Sequence, residues 1–353
     1  MKSHIELNFA VRQPFSSLAV GAWGLVFSLL FLSSCTGRSR QSSTTTDTIA
    51  LAPAPTFVAD SAMHYVRQQC TYGPRVPGSA AHEACGDWIF QTFNDLGTTV
   101  TEQRTQVMGY DGQTMPCRNI VASLNPDATD RIIISAHWDS RAWADNDRNK
   151  TNHHKPVAAA NDGASGVAVM MEMARAMQTV PLSFGVDFVC FDVEDQGTPQ
   201  WAEPSEDEEE ETADYWCLGS RYWAKEAYAT GYTARYAINL DMVGGRDARF
   251  EMEGFSRQFA MPLVNMVWHL ANQMGYGDFF PLREGGYVTD DHVPVNQMAH
   301  IPAIDIVPHV SGARSSFGET WHTTEDTPQN INPAALKAVG QTLLQLIYND
   351  NAQ

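Results

Sequence analysis

"GVDFVCFDVED", residues 185–195, is an apolar, partly β-branched run that ends in two adjacent acids, Glu194 and Asp195. A short run of that composition predicts a buried strand over 185–193, and its polar end predicts a loop that carries chemistry. Working outward, "RNIVASL" (118–124), "RIIISAH" (131–137), "RYAINLD" (235–241) and "IPAIDIV" (301–307) read the same way. Between and beyond them, amphipathic stretches predict helices over 163–177, near 218–229, near 256–274 and near 333–348. This alternation argues for a three-layer α/β sandwich, a central, mostly parallel, twisted sheet flanked by helices. In such sheets ligands collect beyond the carboxyl ends of the strands, so the residues that follow each apolar run are the ones to inspect.

Those residues are metal-capable. "RIIISAH" ends at His137 with Asp139 two positions on; the strand over 185–193 runs into Glu194 and Asp195; "RYAINL" runs into Asp241; the loop after 301–307 delivers His322. Asp162, in "AANDGASG", opens a helix. Each alone has an ordinary explanation, Asp162 as a helix N-cap for instance. Together, one carboxylate or imidazole at every strand exit points to a metal site, and mixed carboxylate and imidazole ligands suit zinc. Glu194 and Asp195 then divide into two roles, one binding the metal while the other moves protons, and Asp139 orients His137. His153 and His154, in the polar loop 144–157, read as a solvated pair.

Residues 1–34 read as a leader: Lys2 and Arg12 precede the uncharged run "SSLAVGAWGLVFSLLFLSS", and "LSSC" resembles a bacterial lipoprotein cleavage box ending at Cys35. Lipidation of Cys35 would tie the protein to a membrane without a spanning helix, the alternative being an uncleaved anchor helix of 19 residues. The expectation is an exported, periplasmic, outer-membrane-attached lipoprotein with a flexible tether over 35–56 and one domain over 57–353. The leader carries two basic residues and one acidic one, so removing it moves the net charge from −18 to −19. That balance argues against nucleic acid and against electrostatic adhesion to anionic lipid. Six consecutive acids, Glu206 to Glu211, read as a solvated loop rather than a calcium site. Among Cys70, Cys85, Cys117, Cys190 and Cys217, a bridge from Cys70 to Cys85 or Cys117 is plausible in an oxidising compartment, with Cys190 as a buried thiol.

The segments "HWDS", "NDGASG", "FDVEDQG", "LGS" (218–220), "NLDMVG" and "WHTTEDTP" together resemble the zinc aminopeptidase superfamily called M28, over nearly all of the chain after residue 57. The resemblance implies two chemistries. Dinuclear aminopeptidases use five ligands, here His137, Asp162, Asp195, Asp241 and His322. Glutaminyl-peptide cyclotransferases keep one zinc, with Asp162, Asp195 and His322 implied as ligands and Glu194 as proton carrier. "TDDHVP" (289–294) resembles the cyclase segment whose acid, here Asp290, partners Asp241, and it brings His292, grouped with His137 and Asp139 as a second-metal or supporting candidate. Trp321 before His322, Phe317 four residues earlier and Trp201 after the acid pair resemble the cyclase pocket aromatics.

On that resemblance the expectation is a monomeric enzyme with one zinc per chain. It would convert the N-terminal glutamine of peptides and exported proteins to pyroglutamate with loss of ammonia. The dinuclear aminopeptidase is the alternative. A receptor that kept the fold without catalysis is disfavoured by the intact Glu194.

Overall fold

The computed structural model describes residues 50–202, 215–310 and 314–352; the leader, Cys35, most of the tether and the acidic run 206–211 lie outside the described residues. In chain order the elements are α1 (Ala59–Thr71), α2 (Ala80–Asp95), β1 (Thr99–Met108), β2 (Thr114–Leu124), β3 (Arg131–His137), α3 (Ala164–Met177) and β4 (Gly185–Phe191). They continue with α4 (Leu218–Thr230), β5 (Ala237–Leu240), α5 (Gly254–Gln273), α6 (His292–Met298), β6 (Ala303–Ile306) and α7 (Pro333–Asn351).

The sheet order is β1-β2-β4-β3-β5-β6. β4, β3, β5 and β6 are parallel neighbours, while β2 pairs antiparallel with both β1 and β4. The parallel reading therefore holds for the four strands that carry the candidate ligands, and a hairpin extends one edge. β3 and β4 are buried along their whole lengths, which requires helices on both faces. Ile132 and Ile134 enter a core built with α1, α2, α3, α5 and α7, and the intervening Ile133 enters a second core with α4 and α6. That alternation makes the three-layer sandwich.

Four elements have no counterpart in the sequence reading. β1 has no buried position at all, so it lacks the apolar alternation that marks a strand. α2 buries His82 and Gly86 among its core-facing positions, which blurs its stripe. α1 buries a polar Gln69, and α6 is only seven residues long.

Two expectations are corrected. The tether does not run to residue 56: Ala52 N–H donates to Asn349 (2.8 Å), Gln345 donates to the Ala52 carbonyl (2.7 Å) and Gln341 to the Pro55 carbonyl (3.1 Å), while Phe57 joins the main core. This stretch is part of the domain. The disulfide from Cys70 to Cys85 or Cys117 is not made, since all five described cysteines are free thiols. Cys70 Sγ faces the Ala158 carbonyl and Cys117 Sγ faces Asn119, each at 3.9 Å. Burial pushes the Cys85 thiol up to about 12, so it behaves as a small core side chain.

Helix α3 sits so close to β5 that a Cβ on Gly166 would lie 2.3 Å from the Leu240 carbonyl oxygen. Gly166→Ala is expected to destabilise the fold by about 1–3 kcal/mol, the usual range for overpacking. Urea denaturation reads this directly, and an unchanged midpoint would contradict the close approach.

Candidate active site and metal centre

The parallel strands end on one side of the sheet, and their exit loops bring the candidate ligands together. His322 Nε2 lies 2.9 Å from Asp195 Oδ1 and 3.6 Å from Asp162 Oδ2. On the other side of Asp162, His137 Nε2 lies 3.0 Å from Asp162 Oδ1 and 3.1 Å from Asp241 Oδ1. Asp162 is thus shared between two trios, Asp162–Asp195–His322 and His137–Asp162–Asp241, each with ligand atoms within 4.8 Å of one another.

Two of these loops are held by buried carboxylates. Asp139 accepts the backbone N–H groups of Glu194 (3.1 Å) and Asp195 (3.2 Å) and the Gln196 amide (3.1 Å). It also lies 3.4 Å from His137 Nδ1, so "HWDS" orients a histidine and fixes the Glu–Asp pair at once. Asp326, in "WHTTEDTP", accepts the N–H groups of Asn161 (2.8 Å) and Asp162 (3.0 Å). Gly163 follows with φ +103, where a Cβ would sit 2.6 Å from the Asp139 carbonyl oxygen. Only glycine fits that turn. Val193, Met242 and His322 themselves occupy the left-handed region, at φ 51, 53 and 51. For a β-branched residue such as Val193 this is strained, and strain of this kind concentrates at functional sites.

A third support was not read from the sequence. Arg141 donates to both carboxylate oxygens of Asp145 (2.9 and 2.6 Å) and to the Asp195 carbonyl (3.0 Å). Asp145 Oδ1 in turn lies 3.4 Å from His322 Nδ1, a carboxylate–histidine arrangement that fixes which ring nitrogen faces a metal. The available signal was "RAWAD", an Arg and an Asp four apart beside the loop, without periodicity to mark them as buried.

Asp162, Glu194, Asp195, Asp241, Asp290 and His322 line a cavity of about 350 Å³, with Trp216, Val288, Thr289, Phe317 and Trp321 as its other walls. Trp321 stacks on His322 (centroids 3.7 Å apart) and Phe317 packs against Trp321 (5.0 Å). Trp216, absent from the sequence reading, lies parallel to the His322 ring at 6.2 Å. Trp201 does not line the cavity: it is 44% exposed and packs against Trp143 and His154. His153 bonds the Asp147 carbonyl at 2.9 Å, so neither loop histidine joins the ligands. His292 also stands apart, its Nε2 3.1 Å from Glu253 and its Nδ1 3.8 Å from Asp305.

The site carboxyls differ in proton affinity, and Asp195, a candidate ligand, is itself raised by burial and then by the Asp162 charge. Burial, followed by the Asp290 and Asp195 charges, raises Glu194 well above the ordinary glutamate range, with His137 opposing. Burial and then Asp290 push Asp241 up to about 8. By contrast Asp162 is lowered, the hydrogen bond and charge of His137 overcoming a burial effect that acts the other way. Asp162 Oδ2 and Asp195 Oδ2 are buried without a hydrogen-bond partner among the described residues. Unpaired buried carboxylate oxygens beside an imidazole nitrogen form a set that a divalent cation completes, and two carboxylates with one imidazole suit zinc with an open position. The residues fit the metal.

The chain is similar in sequence and fold to glutaminyl cyclases and to zinc-dependent exopeptidases. The glutaminyl cyclase of Bacteroides thetaiotaomicron, solved with N-acetylhistamine, is 43% identical over 84% of this chain and 99% of its own, with a TM-score of 0.80. A Zn-dependent exopeptidase from Parabacteroides distasonis is 42% identical over 84% and 100%, with a TM-score of 0.81. The glutaminyl-peptide cyclotransferase of Bothrops jararaca is 25% identical over 64% of this chain. The match spans 63% of that relative's length and 49% of the length of the aminopeptidase YwaD of Bacillus subtilis. The loops that carry His137, Asp162, Glu194, Asp195, Asp241 and His322 all fall within residues 119–347, the stretch that matches Peptidase family M28, and the chain belongs to that family.

Proposed function

We propose that the chain is a zinc-dependent glutaminyl-peptide cyclotransferase, closing the N-terminal glutamine of a peptide to pyroglutamate with release of ammonia. The observation that carries this reading is the proton-holding Asp241, with Asp290 and Glu194 beside it in a small aromatic-walled cavity. A carboxyl raised to about 8 holds its proton near neutrality. Such a carboxyl can accept from the γ-amide N–H when ionised and donate to the amine nitrogen as it leaves when protonated. The volume is near the lower bound of ligand pockets, about 300 Å³, and suits one side chain with its amine.

Zinc held by Asp162, Asp195 and His322 would supply polarisation of the γ-amide carbonyl. The residues of the chain do the rest. Trp216, Phe317 and Trp321 hold the side chain folded so that its own α-amine lies near the carbonyl carbon of the γ-amide, which makes the attack intramolecular. Glu194 takes a proton from the attacking amine and returns one to the departing amide nitrogen. The C–N bond of the ring forms, the bond to the amide nitrogen breaks, and ammonia leaves. Asp241 and Asp290 hold that nitrogen as it departs. Exported proteins and peptides that begin with glutamine are the proposed substrates.

A dinuclear aminopeptidase is the second reading, favoured by the His137–Asp162–Asp241 trio. Mass spectrometry separates the two. With zinc-loaded protein, a glutamine-initiated peptide is expected to lose ammonia while a matched leucine-initiated peptide stays unchanged, and zinc is expected to saturate near one per chain. Release of the first residue from either peptide, with zinc near two per chain, would replace the cyclase by the peptidase.

A further inference from the structure

We infer that Cys217 is a positioning residue for Glu194, its thiol donating the hydrogen bond that fixes the carboxylate at the cavity wall; the inference rests on the proton-carrier reading of Glu194 above. Cys217 Sγ lies 3.3 Å from Glu194 Oε1. Among the described residues this is the only side-chain hydrogen bond that Glu194 receives. A buried carboxylate with several donors would have its lone pairs occupied and its basicity lowered. A thiol is a weak donor, so it sets the direction of the carboxylate while leaving it able to take a proton. Burial and the neighbouring Glu194, Asp291 and Asp290 charges raise the thiol well above its ordinary range, which keeps the hydrogen on sulfur.

The backbone is arranged to bring the two side chains together. Cys217 N–H donates to the Glu194 carbonyl and Leu218 N–H to the Val193 carbonyl, both at 3.0 Å. Asn119 ties the same two segments: its Oδ1 accepts the Asp192 N–H at 3.0 Å and its Nδ2 donates to the Gly219 carbonyl at 2.9 Å. Cys217 itself sits in the left-handed region, φ 59 and ψ 35, on the residue that precedes α4. Val193, at φ 51, is the matching strained residue before Glu194. Two strained positions, zipped to each other, aim one thiol at one carboxylate. Nothing in the proposed chemistry requires sulfur, and with the thiol fully buried Cys217 acts through Glu194 alone.

The test compares Cys217→Ala, Cys217→Ser and Glu194→Gln in the zinc-loaded full chain with a glutamine-initiated peptide. Cys217→Ala is expected to lower kcat about tenfold, the scale of one lost hydrogen bond, with KM and zinc content held at the parent's values. Cys217→Ser, which keeps a donor, is expected to return kcat to within about threefold of the parent; it also decides the matter should the alanine variant fail to fold. Parental kcat in Cys217→Ala, or a serine variant as slow as the alanine one, would overturn the positioning role while an inactive Glu194→Gln leaves the proton-carrier reading standing. A fully active Glu194→Gln would overturn both.

Discussion

Glu194→Gln is expected to lower kcat on a glutamine-initiated peptide by about 10²–10⁴-fold, the range over which a positioned acid–base group contributes. The substitution keeps the shape of the side chain and an oxygen to accept the Cys217 thiol, so the cavity wall should stay in place. It removes only the capacity to take and return a proton. Glu194 is suited to that work because burial and the Asp290 and Asp195 charges raise its proton affinity above that of an exposed glutamate, bringing it nearer the operating pH. The backbone should not move either: the Glu194 and Asp195 N–H groups remain bound to Asp139. Zinc content is therefore expected to match the parent, since Asp162, Asp195 and His322 are untouched. Steady-state rates beside a zinc assay decide the matter, and a variant within about threefold of the parental kcat with zinc bound would remove Glu194 from the mechanism.

The parts of the site legible in the sequence are those whose position follows from strand ends. β3 and β4 are buried on both faces, so they read as unbroken apolar runs, and the polar residues after them had to lie at the carboxyl edge. His137, Glu194, Asp195 and Asp241 were found in this way. What escaped was set by tertiary paths that have no period. Trp201 stands six residues after Asp195 in the chain, yet it turns away to Trp143 and His154, and Trp216 takes the place at the cavity. His292 follows Asp291 directly but is held by Glu253 and Asp305, from the start of α5 and from β6. Short sequence distance predicted neither neighbour. Arg141 and Asp145 were passed over for a related reason: a charged pair in an irregular segment reads as solvated, and only the packed loops around it exclude water.

That pair carries the second large effect. Arg141→Met is expected to destabilise the metal-free protein by about 3–5 kcal/mol, the scale for removing one partner of a buried ion pair. Arg141 is 1% exposed and its guanidinium sits 4.8 Å over Trp216 and 5.4 Å from Trp143. Methionine keeps the stem but leaves the Asp145 carboxylate buried without its two strongest donors, and it also frees the Asp195, Gly197 and Thr198 carbonyls. Adding Asp145→Leu to Arg141→Met should recover part of the loss, because the stranded charge goes with it. Zinc affinity should not recover. Without Asp145 no other ion-pair partner among the described residues faces His322 Nδ1, and loss of such an orienting carboxylate weakens metal binding by about 10–100-fold. Urea denaturation and zinc titration of the single and double variants therefore move apart if Arg141 neutralises Asp145 while Asp145 orients His322. If stability and zinc affinity instead recover together in the double variant, the pair serves packing alone, and His322 owes its orientation to Trp321 and Trp216.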